Sequence, residues 1–130
     1  MKYLFDSSAL LAHALQEAGA DEVQALIGDD SNDLFLSVLS FFELAASLKR
    51  QGAAVQIGIY WETYRQIATA ISVNREITEE AWNLREQVAQ RLPITDAIVA
   101  ATARAQGATL VHRDRHLAAI PESLLPQLRL

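Results

Sequence analysis

Short apolar runs alternate with longer helix-like segments along this chain, and that alternation restricts the fold more than any other feature. The strand-like runs are Lys2 to Phe5, Leu34 to Ser37, Ile71 to Val73, Thr109 to Val111 and Leu128 to Leu130. Between them lie segments of helical character: Ala9 to Ile27 with a break at Gly19, Val38 to Arg50, Val55 to Ala70, Thr78 to Gln90, and a stretch capped by Thr95 that runs to Ala105. A brief helical turn is expected over His116 to Ile120, stopped by Pro121. Strands and helices in alternation predict an α/β layer fold with a mainly parallel sheet. The 130 residues predict one domain spanning the whole chain.

In such a fold, ligands bind beyond the carboxyl ends of the strands. The position of each acid is therefore informative. Asp6 closes the first strand-like run, and Asp114 follows the run Thr109 to Val111. Asp96 stands at the head of LPITDAIVAATA, a segment that is apolar nearly all round. The helix dipole favours a first-turn Asp by roughly 0.3–1 kcal/mol, and Thr95 already offers a capping oxygen. Glu43 shares a helical stripe with Ser40, Ser47 and Arg50, apart from most large apolar residues. Periodicity favours a solvated face for that stripe, although a polar cleft has the same pattern. Each acid also has a plain structural reading, as a turn residue, a cap or one half of a surface ion pair.

Taken together the four acids point further. If they converge, their like charges resist shared ionisation. A divalent cation removes that conflict, and Mg²⁺ and Mn²⁺ prefer oxygen ligands and bind phosphates. A metal in such a cleft activates water and clamps phosphodiester oxygens. Metal-assisted phosphodiester hydrolysis is the chemistry this pattern predicts. The chain carries 11 basic and 16 acidic residues, a net charge of −5, which argues mildly against a nucleic-acid binder basic over its whole surface. That objection weakens if several acids are gathered in one site. Cysteine is absent, excluding disulfides and thiolate metal ligands and fitting a cytoplasmic setting. No segment approaches the ~20 apolar residues of a membrane helix.

Three stretches, LFDSSALLA, SFFELAASL and PITDAIVAATARAQGATLVHRDRHL, resemble the PIN-domain ribonucleases, specifically the VapC-type toxins of bacterial toxin–antitoxin pairs. The resemblance covers essentially the whole chain. It implies a three-layer α/β/α domain with a central parallel sheet of about five strands. It implies an acidic pocket of Asp6, Glu43, Asp96 and Asp114, holding Mg²⁺ or Mn²⁺ and cleaving RNA with metal-activated water. It implies a cognate antitoxin as partner, and homodimerisation is common in the family. His112 is a departure, since the family often has Thr or Ser there. A neutral His112 can support the acids as a donor, whereas a protonated one repels a metal. Ser7 and Ser8 agree with the pattern, and a hydroxyl of this pair is expected beside the acids.

Arg113 and Arg115 flank Asp114, either to steer RNA phosphate or to solvate a loop. His13 and His116 have no ligand-like spacing with each other and are expected to serve packing or the surface. Ile57, Trp61, Tyr64, Ala68 and Ile71 recur at helical spacing, which predicts core packing, with a partner groove or dimer face as the lesser reading. Two other functions compete. A PIN-like module that binds RNA or protein without cutting is motivated by His112. An aspartyl-phosphate hydrolase needs a second Asp two residues after the first, where Ser8 stands, and a receiver domain needs a late Lys, whereas the last is Lys49. No Gly-rich phosphate loop is present.

Overall fold

Five parallel strands form the centre of the molecule. They are β1 (Lys2–Phe5), β2 (Asp33–Ser37), β3 (Thr69–Ile71), β4 (Thr109–His112) and β5 (Gln127–Arg129), in the order β3-β2-β1-β4-β5. The computed structural model describes residues 1–130. The helices are α1 (Ser7–Ala14), α2 (Ala20–Ile27), α3 (Leu39–Arg50), α4 (Ile57–Ile67), α5 (Arg75–Gln87), α6 (Ile94–Gln106) and α7 (Arg115–Ala118), with a 3-10 turn at Ala54–Gln56. No helix is long and apolar enough to cross a membrane.

The strands are short and apolar because both faces of the sheet are covered. Successive residues serve opposite faces: Leu4 and Leu110 join one core, whereas Phe5 and Val111 join the other. The first core collects residues of α5, α6 and α7, and the second collects residues of α1 to α4. This is the three-layer α/β/α arrangement. In α6, Ala97, Ala100, Ala101 and Ala103 are all buried, so small side chains let this helix lie close to its neighbours. Gly107 ends α6 in the left-handed conformation at φ 63°, which glycine adopts without a Cβ penalty.

Tertiary pairing shifts several elements from their sequence-based limits. The third strand runs over Thr69–Ile71, two residues before the expected Ile71 to Val73, because Thr69 pairs with Phe35 and Ile71 with Ser37. The helix expected from Thr78 begins at Arg75 instead. Asn74 caps it, accepting from the Ile77 N–H at 2.9 Å, since Asn74 has the extended backbone of a chain leaving the sheet. Thr95 does not cap α6 either. The helix starts at Ile94 behind Pro93, whose fixed φ is already suited to a helix entry, and no side chain caps it. Asp96 is the sole acid of that uncapped first turn.

The stripe on α4 and its continuation packs largely as core. Tyr64 and Ala68 are buried, Ile57 and Trp61 are partly buried against them, and Ile71 packs on the opposite core. Trp61 also meets the ring of Phe41, with centroids 5.2 Å apart.

Candidate active site

The strand order reverses direction at β1: the chain builds outward through β2 and β3, then returns to place β4 on the other side of β1. Crevices form at such switch points, outside the carboxyl ends of the strands. Asp6 follows β1 and Asp114 lies just past β4, so the two acids flank the switch. The Asp6 N–H donates to the Val111 carbonyl at 3.0 Å, extending the β1–β4 pairing up to the acid itself.

Asp6 is 3% exposed and caps α1. Its Oδ2 accepts from the Ser8 backbone N–H at 3.0 Å and from the Ser8 hydroxyl at 2.6 Å. Its Oδ1 is buried and has no hydrogen-bond partner. The Ser8 oxygen also accepts from the Arg113 backbone N–H at 3.1 Å, tying the β1 end to the loop that carries Asp114. Glu43 comes from α3, and its Oε2 accepts from the Ser7 hydroxyl at 2.9 Å. Its Oε1 is likewise buried and unpartnered. The Ser7–Ser8 pair thus orients one oxygen of each of two carboxylates and leaves the other free.

Glu43 corrects the solvated-face reading of its stripe. Ser40 is fully buried and Glu43 half-buried, whereas Arg50 at the far end of the helix is exposed. The exposed side of α3 carries Phe41 and Phe42 instead. Helical period reveals that a stripe is polar; only the position of α3 beside α1 turns its first half inward.

Asp96 projects from the first turn of α6 with its side chain 13% exposed. Asp114 caps α7, its Oδ1 accepting from the His116 and Leu117 N–H groups at 2.7 and 3.1 Å. Asp96, Asp114 and His116 each offer one ligand atom, and the three atoms lie within 4.8 Å of one another. His116 Nδ1 is 3.8 Å from Asp96 and 3.7 Å from Asp114. Its side chain is 43% exposed, in keeping with the expected surface position, and it also stands beside two acids. Its position two residues after Asp114, in the turn that this acid caps, is the signal in the sequence for that neighbourhood. His13 itself packs between Tyr64 and Gln24, hydrogen-bonded to both.

The four carboxylates feel one another. Burial pushes the Asp96 carboxyl up to about 7, and the charges of Asp114, Asp6 and Glu43 add to the rise. Burial also raises Asp6, opposed by its bonds from Ser8 and reinforced by Asp114. Glu43 is raised by burial, opposed by Ser7 and reinforced by Asp6 and Asp114. Buried anions of one sign with orphaned oxygens are costly unless a cation or proton compensates them. The orphaned Asp6 Oδ1 and Glu43 Oε1 are hard oxygen donors, which fits a divalent cation of the Mg²⁺ or Mn²⁺ type.

His112 has no exposed surface, and its Nδ1 accepts from the Asp114 backbone N–H at 3.0 Å. The ring therefore accepts at Nδ1 and carries no proton there. Arg113 directs its guanidinium to Glu17 and to the Ala18 carbonyl. Arg115 is exposed.

The molecule is a three-layer α/β/α protein with acidic residues gathered at the switch point of its parallel sheet. More particularly, residues 3–123 match the model of the PIN domain, and the chain belongs to that family. Comparison with curated proteins returned no match. Among solved structures, the chain is similar to VapBC2 of Rickettsia felis bound to a promoter DNA fragment, with 19% identity and a TM-score of 0.77 over 100% of this chain and 99% of that one. It is similar to VapBC-5, a toxin–antitoxin system of Mycobacterium tuberculosis, at 19% identity and TM-score 0.74, covering 99% and 98%. It is also similar to Mycobacterium tuberculosis VapC20, a sarcin–ricin loop cleaving toxin, at 18% identity and TM-score 0.68, covering 90% and 93%.

Proposed function

We propose that this protein is a metal-dependent endoribonuclease and the VapC-type toxin of a toxin–antitoxin pair, with Asp6, Glu43, Asp96 and Asp114 as its metal-binding and catalytic carboxylates. The observation that carries this reading is the pair of buried, unpartnered oxygens on Asp6 and Glu43 within the four-acid cluster. Membership of the PIN family supports it, as does the likeness to a toxin that cleaves the sarcin–ricin loop.

When bound, Mg²⁺ or Mn²⁺ supplies the positive charge that offsets these acids, draws a phosphate to them and acidifies water. The chain's own residues do the rest. Ser8 and Ser7 hold Asp6 and Glu43 with one oxygen of each directed away from the bonded partner. The rigid first turn of α6 presents Asp96, and the α7 cap holds Asp114. In the metal-free site burial and the neighbouring acids raise the Asp96 carboxyl to about 7, so a bound cation would favour its ionised, ligating form. Arg115 directly follows Asp114 on an exposed turn, where a guanidinium suits an RNA phosphate. Arg113, engaged by Glu17, suits that role less.

A toxin of this kind requires restraint by a cognate antitoxin in the cytoplasm. The likeness to complexes described as VapBC supports such a partner, and the exposed Phe42 and Ile59 on α3 and α4 offer it apolar surface. The alternative, a PIN-like module that binds RNA or protein without cutting, is motivated by His112, and metal titration separates the two, since a pure binding module shows no metal-dependent turnover.

The test is cleavage of a structured RNA with increasing Mg²⁺, comparing the wild type with Asp6→Asn. Metal-dependent cleavage lost in the variant is the expected result. Cleavage that persists in EDTA, or at the wild-type rate in Asp6→Asn, sinks the mechanism.

A further inference from the structure

The last strand of the sheet reaches the acidic centre through one side chain. Gln127, on β5, places its Oε1 2.7 Å from Nε2 of His112. On the other side of the ring, Nδ1 is 3.0 Å from the Asp114 backbone nitrogen. A backbone N–H only donates, so Nδ1 accepts and carries no proton. A neutral imidazole then holds its proton on Nε2, and that proton needs an acceptor. Gln127 provides one because its amide has a single usable orientation: its Nε2 donates to the Ile120 carbonyl at 2.6 Å, which turns the amide oxygen toward His112. Each link dictates the next. The Ile120 carbonyl orients the amide, the amide selects the tautomer, and the tautomer makes Nδ1 an acceptor.

The end of this relay is Asp114. Its backbone is pinned by His112, and its Oδ1 is held by the N–H groups of His116 and Leu117. We infer that Gln127 is a positioning residue for the acidic centre, acting through the tautomer of His112 to hold Asp114 in place. This rests on the proposed role of Asp114 as a metal ligand. Partners of this remote kind commonly matter by 10–100-fold in metal affinity.

A hydroxyl in place of the imidazole offers a built-in control. Ser and Thr accept from a backbone N–H two residues on, with no tautomer to set. Gln127 is therefore required when His112 is present and dispensable in the His112→Thr variant.

Nitrogen NMR of the three imidazoles in the full chain reads the tautomer directly. His112 is expected with its proton on Nε2 and a bare Nδ1; the opposite tautomer overturns the relay. In Gln127→Met the two tautomers are expected to mix, and an unchanged His112 overturns it. Mn²⁺ affinity by calorimetry is expected to fall roughly tenfold in Gln127→Met, yet to change by less than about twofold when the same substitution is made in His112→Thr. An equal loss in both backgrounds assigns Gln127 to bracing Ile120 and overturns the proposal. Should His112→Thr not fold, the His112 tautomer in Gln127→Met decides alone. A wild type that binds no Mn²⁺ sinks the metal reading, while the NMR arms still judge the relay.

Discussion

The Ser7 hydroxyl donates to Glu43 Oε2 at 2.9 Å, joining α1 to α3 across 36 residues of sequence. Both helices follow adjacent parallel strands, so their first turns open on the same edge of the sheet. The bond holds a half-buried carboxylate whose other oxygen has no partner. Ser7→Ala is expected to weaken Mn²⁺ binding roughly tenfold while the circular dichroism stays native. Unchanged affinity in the calorimeter denies the bond any role in the site.

Asp96 links the site to stability. Its folded pKa is raised from 3.8 to about 7, so the folded state favours the neutral acid. Its contribution to stability is intact below pH 4 and is lost as pH rises through about 7. The metal-free wild type should therefore lose stability from pH 5 to pH 8, and Asp96→Asn should lose much less. Over that interval the difference has a ceiling of ~2.7 kcal/mol, the two pH units between 5 and the folded pKa. Urea denaturation at both pH values measures it; parallel slopes for the two proteins contradict the assignment.

Divalent cations should reverse that loss. Mn²⁺ at about 100 times its Kd stabilises a one-site protein by ~2.7 kcal/mol. The gain is expected at pH 8 and should nearly vanish at pH 5, where protons compete for the same carboxylates. Thermal melts with Mn²⁺ and with EDTA make the comparison, and an equal gain at both pH values points to binding elsewhere.

Packing around α6 gives a prediction independent of chemistry. Ala100 has no exposed surface and sits in the core shared with α5. Ala100→Leu adds volume to a filled space and should cost ~1–3 kcal/mol in denaturant unfolding. A neutral result indicates a looser α5–α6 contact.

The start of α5 separates two candidate caps. Asn74→Ala removes the side chain that accepts from Ile77 N–H and should cost about 1 kcal/mol. Thr78→Ala, inside the helix, removes only a hydroxyl bonded to the Asn74 carbonyl and should cost less. Equal losses in chemical denaturation reverse this ranking.

Much of the candidate site was legible because strand ends leave a local signature. Asp6 and Asp114 each follow an apolar run, and in a parallel fold that alone directs them to one edge. Asp96 was legible from its isolation in an apolar segment. Glu43 was less so, since a helix period does not say which side of a polar stripe meets another helix. His116 was hidden for a related reason: its neighbours Asp96 and Asp114 belong to different elements, and no spacing in sequence predicts their 3.8 and 3.7 Å approach.

Sequence by itself determined the α/β class and the alternation of elements, and it singled out the four acids as candidates, because hydrophobic period and strand-end position are local properties of the chain. Only the tertiary structure decided where β3 pairs, that Asn74 and not Thr78 opens α5, and which face of α3 turns inward. It alone also brought Gln127 to His112 and left an oxygen of Asp6 and of Glu43 without a partner. These depend on contacts between distant residues, whose geometry follows from the register of strands and the packing of helices and is written in no single stretch of sequence.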